Sequence, residues 1–119
     1  MPADYSARAA QYGFATPEEV RALLAQADTL ILDTRTKDEM QDAGSVDRAI
    51  QTNCTATECP QLSLAPDSVI PDKTANVVIY CRSGRRASRA KEILLEKGYT
   101  GTILNAGGYD DMVCIQKNQ

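Results

Sequence analysis

Apolar positions along this chain fall into two rhythms. After Thr16-Pro17-Glu18-Glu19, the residues Val20, Leu23, Leu24 and Ala27 recur at helical spacing, which puts them on one face of a helix. Thr16 is placed to cap it, Pro17 suits its first turn and Glu19 completes a capping box. Thr29-Leu30-Ile31-Leu32 is an unbroken apolar run ending at Asp33, the pattern of a buried strand. A short polar helix is expected over residues 37–42, stopped by Gly44. Residues 51–76 hold Pro60, Pro66 and Pro71 among many small polar residues, which predicts a long connection with one helical turn. Val77-Val78-Ile79-Tyr80 is the clearest strand, apolar and largely β-branched. Helical rhythm returns from Ala87 to Lys97, with Ala90, Ile93 and Leu94 on one face and Gly98 as the stop. Thr102-Ile103-Leu104 predicts a last strand, Gly107-Gly108 a turn, and a short helix is expected beyond it.

Helices that alternate with strands predict an α/β fold: a small, mostly parallel central sheet flanked by helices on both faces. The 119 residues suffice for one domain, with a core expected over about residues 16–112. With no Trp and one Phe, that core must rest on aliphatic side chains. No apolar run approaches the roughly 20 residues of a membrane span. Met1–Ala10 lacks the apolar stretch of a signal peptide.

Charge is distributed unevenly. The net charge is −3, which argues against general nucleic-acid binding. Yet Arg82, Arg85, Arg86, Arg89 and Lys91 follow Cys81 with no acidic residue among them. Positive charge gathered beside one cysteine in an acidic protein points to a small anionic ligand; the plainer alternative is a solvated basic helix face. The chain has no histidine. That removes His-based metal sites, Cys–His and Ser–His pairs, and histidine as a general base. The spacing of Cys54, Cys59, Cys81 and Cys114 does not suit a four-cysteine zinc site, so no metal and no cofactor are expected. A disulfide framework is not expected in a domain of this size. Unpaired cysteines and the lack of a signal peptide suggest a cytoplasmic location.

The strand at 77–80 runs directly into Cys81-Arg82-Ser83-Gly84-Arg85-Arg86 and then into a helix. Backbone N–H groups of such a loop can form an anion nest, and the helix adds its positive end. A thiol there is biased toward thiolate, its reactive form. Gly84 supplies the backbone freedom of a tight loop. The alternative is a small buried residue at a strand end; the strand–Cys–Gly–Arg–helix context favours the reactive reading.

The stretch Ile79 to Ser88 resembles the active-site loop of rhodanese-like sulfurtransferases. Leu30-Ile31-Leu32-Asp33-Thr34-Arg35 resembles the family's strand ending in Asp-x-Arg. Gly98-Tyr99 through Asn105-Ala106-Gly107-Gly108 resembles its closing segment, and Ala90 to Gly108 is similar to the phage-shock type of single-domain rhodanese. The resemblance spans roughly Thr16 to Met112. It implies that Cys81 attacks the outer sulfur of thiosulfate or a related donor, holds it as a persulfide and passes it to cyanide, a thiol or a protein acceptor. It implies that Arg82, Ser83, Gly84, Arg85 and Arg86 frame the donor. Asp33 and Arg35 would pair with each other or with nearby backbone, for support or as a strand-end salt bridge alone. No nucleic acid or membrane is implied as a partner, and a monomer is expected. Gly44-Ser45-Val46-Asp47-Arg48-Ala49 stands where the family often has Gly-His-Ile-Pro-Gly-Ala.

Two rivals share parts of this pattern. Cysteine phosphatases and arsenate reductases carry Cys, five residues, Arg; here that position is Ala87, and Arg86 comes one residue early. A rhodanese-like module that carries persulfide or binds a partner without turnover would share every residue. Cys54 and Cys59 are either inert loop cysteines or thiols able to resolve an oxidised or sulfur-loaded Cys81.

Overall fold

Four parallel strands carry the fold in the order β2-β1-β3-β4. They are β1 (Leu30–Asp33), β2 (Ile50–Gln51), β3 (Val77–Cys81) and β4 (Ile103–Gly108). The computed structural model describes residues 1–117. The expected α/β architecture holds, with the described sheet parallel throughout.

Strand alternation sorts the core into two layers. Val77, Ile79 and Cys81 face one side with Leu32 and Ile103, against α4 (Pro60–Leu64), α5 (Pro66–Val69) and α6 (Arg85–Glu96). Val78 and Tyr80 face the other with Ile31 and Ala106, against α2 (Pro17–Leu24) and α7 (Tyr109–Lys117). β3 is buried along its whole length, as a central strand covered on both faces must be.

The capping box at α2 forms as its sequence predicts, with Thr16 accepting from Glu19 N. A second box, Thr36 with Glu39, starts α3 (Lys37–Ala43). Several features differ from expectation. Residues 51–76 hold two short helices rather than one turn, each with a proline in its first turn, where a missing N–H costs nothing. Helix α6 starts at Arg85, two residues earlier than the apolar rhythm suggests.

Gly107 and Gly108 are strand, not turn. They end β4 through a register shift that pairs Ile79 with Asn105 and Tyr80 with Gly107. A Cβ on Gly108 would overlap the Arg82 carbonyl oxygen, so glycine is needed for the close approach of two backbones. The N-terminal segment forms α1 (Tyr5–Tyr12), which buries no residue of its own and so leaves no apolar stripe to read.

Cys54 and Cys59 form a disulfide, contrary to the expectation of none. The connecting loop folds back on itself: Thr55 N donates to the Glu58 carbonyl at 2.7 Å, and Thr55 Oγ1 accepts from Glu58 N at 3.0 Å. That turn brings the two Cα atoms within 4.2 Å, inside the reach of a bridge. The bridge also removes unpaired thiols at 54 and 59 from the argument for a compartment.

Candidate active site at the end of the central strand

The chain leaves β1 toward β2 on one side and later builds β3 and β4 on the other. The crevice beyond the carboxyl ends of β1 and β3 therefore lies at a topological switch point, where open parallel sheets hold ligands. Asp33 ends β1 and Cys81 ends β3, and a cleft of about 410 Å³ opens there between Arg35, Glu39, Arg82 and Tyr109.

Cys81 has no exposed surface. Its Sγ accepts the Gly84 N–H at 3.0 Å. Gly84 turns the chain into α6 with φ +97°, and a Cβ there would run into the Phe14 ring. Both the positive φ and the ring exclude a larger residue. The Gly84 carbonyl accepts from Asn105 Nδ2 at 2.9 Å, which ties the loop to β4.

The arginines after Cys81 do not act alike. Arg82 and Arg85 are exposed, and Arg82 lines the cleft. Arg86 instead forks onto Glu39, donating to Oε1 at 2.6 Å and Oε2 at 2.8 Å. This bond, more than any other contact, raises the Arg86 pKa, with Cys81 a smaller contributor. Its counterpart holds the Glu39 carboxyl down to about 2. Glu39 also accepts from Thr36 N at 3.0 Å, so one carboxylate caps α3 and anchors the start of α6.

Asp33 and Arg35 are brought together as a buried pair. Arg35 Nη2 donates to Asp33 Oδ2 at 2.7 Å and to the Gly44 carbonyl at 2.7 Å. The guanidinium lies 5.5 Å from the Tyr80 ring centre and 4.7 Å from that of Tyr109, so one face of the cleft is a cation–π stack. Burial pushes the Tyr80 phenol well above its usual pKa, and its oxygen accepts from Val46 N at 3.1 Å.

Several residues around the loop carried no local signal. Asp111 is 1% exposed and accepts the Gly108 N–H at 2.6 Å. Arg8 of α1 grips the same carboxylate with two nitrogens, at 2.6 and 2.9 Å, and donates to the Ser83 carbonyl at 3.1 Å. Only the tertiary fold joins positions 8, 83 and 111. Among the described residues no cluster of three or more His, Cys, Asp or Glu could hold a metal. No described helix is long and apolar enough to cross a membrane.

Comparison with known proteins gives this geometry a family. The chain is 49% identical over 45 residues to the thiosulfate sulfurtransferase PspE of Escherichia coli, a stretch covering 38% of this chain and 42% of PspE. It is 31% identical over 102 residues to a tRNA uridine(34) hydroxylase of Yersinia enterocolitica, covering 86% of this chain and 29% of that enzyme. The chain thus spans less than half the length of either curated relative. A solved E. coli rhodanese with anions superposes with a TM-score of 0.56 at 34% identity, covering 70% of this chain and 89% of that one. The Rhodanese-like domain model matches residues 16–113, and the chain belongs to that family.

Proposed function

We propose that this protein is a sulfurtransferase in which Cys81 carries the sulfur. The observation that supports this most is the placement of Sγ at the end of β3, against the Gly84 N–H at the entrance to α6. A backbone N–H and a positive helix end stabilise negative charge on sulfur. Such stabilisation suits a thiolate nucleophile and the persulfide that follows it.

The Cys81 thiolate attacks the outer sulfur of thiosulfate, forming an S–S bond. The S–S bond of thiosulfate breaks, and sulfite leaves with the electron pair. In the second half-reaction cyanide, or a thiolate, attacks the outer sulfur of the persulfide. The Cys81 thiolate departs, and thiocyanate or a new persulfide forms. No general base is required, consistent with a chain that lacks histidine. Arg82, exposed at the cleft, is placed to draw the anion in, with Arg85 adding to the field. Arg86, Asp33 and Arg35 serve as framework, each already bonded to a partner.

The engagement of Arg86 by Glu39 argues against a phosphatase, whose arginine must be available to a phosphate ester. The likeness to an anion-bound rhodanese structure and to a thiosulfate sulfurtransferase supports thiosulfate as donor. Turnover is tested by mixing the protein with thiosulfate and cyanide and following thiocyanate. Formation that is catalytic and lost in Cys81→Ser supports the enzyme. A single stoichiometric burst without turnover would instead favour a persulfide carrier.

A further inference from the structure

The Ser83–Gly84 peptide is held at both ends. Its N–H points at Cys81 Sγ, 3.0 Å away. Its carbonyl, on the opposite side of the planar trans unit, accepts from Arg8 Nη1 at 3.1 Å. Arg8 is in turn fixed by the buried Asp111 carboxylate through two bonds, and that carboxylate also accepts the Gly108 N–H. The Phe14 ring sits 5.6 Å from the Arg8 guanidinium and fills the space beside Gly84.

Resting on the reading of Cys81 as the sulfur carrier, we propose that Arg8 is a positioning residue: through the Ser83 carbonyl it holds the Gly84 N–H toward the reacting sulfur. A short loop with glycine at one end can rotate this peptide at small cost, and a rotated peptide would present its carbonyl, not its N–H, to an anionic sulfur. A cation on the carbonyl opposes that rotation. It also polarises the peptide, and hydrogen bonds in a chain strengthen one another. The device depends on a fork: one guanidinium must serve the carboxylate and the carbonyl at once, which an ammonium does poorly.

Three variants test this. Arg8→Lys keeps the positive charge and one bond to Asp111 but cannot fork to the carbonyl as well. Arg8→Met removes both. Asp4→Asn takes only the negative charge from the exposed contact between Asp4 and Arg8 and controls for general loosening of α1. The first readout is the Gly84 amide proton in an NMR spectrum of sulfur-free protein, since a bond to sulfur deshields it. The second is the rate of Cys81 sulfur uptake from thiosulfate in a single turnover.

Arg8→Lys and Arg8→Met are expected to move the Gly84 signal upfield and slow loading by about tenfold, as weakening one bond to a charged group would. Asp4→Asn is expected to change neither. Unmoved Gly84 signals in both Arg8 variants overturn the proposal. So does faster loading, which would make Arg8 a latch that merely holds the loop shut, and so does an equal response in Asp4→Asn. If wild-type protein takes up no sulfur, the reading of Cys81 fails, while the Gly84 signal still decides the role of Arg8.

Discussion

Replacing Arg35 with methionine should destabilise the protein heavily, and the structure says by how much. The Asp33 side chain is 0% exposed and that of Arg35 3%, so neither charge is shared with water. Asp33 accepts from the Arg35 backbone N–H at 2.9 Å and from its guanidinium at 2.7–3.2 Å. Methionine removes every guanidinium bond and leaves a buried carboxylate with that backbone N–H. It also strips a donor from the Gly44 carbonyl and the cation from between two tyrosines. Stranding one partner of a buried ion pair costs about 3–5 kcal/mol, a large share of the roughly 5–15 kcal/mol that holds a domain together. In urea unfolding followed by circular dichroism, Arg35→Met should lose that amount, and Tm should fall by about 10–25 °C. Adding Asp33→Asn to the same protein should recover a substantial part, because the stranded charge is gone. A loss below about 1 kcal/mol, the scale of an exposed pair, would mean that the Asp33 carboxylate is not stranded in the way its burial requires. So would a large loss that Asp33→Asn leaves unrelieved, since the cost would then lie in the lost stack on the tyrosines.

Other elements of the site make separate predictions. Gly84→Ala forces a side chain into φ +97° and against the Phe14 ring. It should cost about 1–2 kcal/mol for the backbone and about 1–3 kcal/mol for the displaced ring in urea melts, and it should slow sulfur loading measured by intact mass. Glu39 has its pKa lowered from 4.5 to about 2 by Arg86, so the pair's contribution is complete above about pH 4.5 and fades as pH falls toward about 2. The gap in urea midpoint between wild type and Glu39→Gln should shrink over that window; a gap that stays constant would contradict the pairing. Reducing the Cys54–Cys59 bridge opens a loop with a sequence separation of 5, and a chain-entropy estimate puts the loss near 2 kcal/mol. A denaturation midpoint indifferent to reductant would show that the bridge contributes nothing to the folded state.

The sheet and its helices were legible because their signals are local. Val77 to Tyr80 could only be a buried strand, and the Thr16–Glu19 box wrote the start of α2 in four residues. Cys81 stood out for the same reason: a strand, a cysteine, a glycine and a run of arginines lie next to one another. What escaped was made by distance. Helix α1 buries nothing, and its tie to the loop runs from residue 8 to residues 83 and 111. Gly107-Gly108 has the composition of a turn, and only pairing with Tyr80 and Cys81 of β3 makes it strand. The charge of Arg86 was visible but not its engagement, since nothing near residue 86 announces Glu39. The Cys54–Cys59 bridge depends on a local turn built by Thr55, a subtler cue than the rule that domains of this size need no staples.

Weighing the intact protein after thiosulfate treatment, beside Cys81→Ser, decides whether Cys81 carries sulfur. The expected result is a gain of about 32 Da, one sulfur atom held covalently, absent in Cys81→Ser and removed by cyanide. A gain that persists in Cys81→Ser would move the chemistry to another residue. No gain with thiosulfate or with other sulfane donors would contradict the sulfurtransferase reading itself.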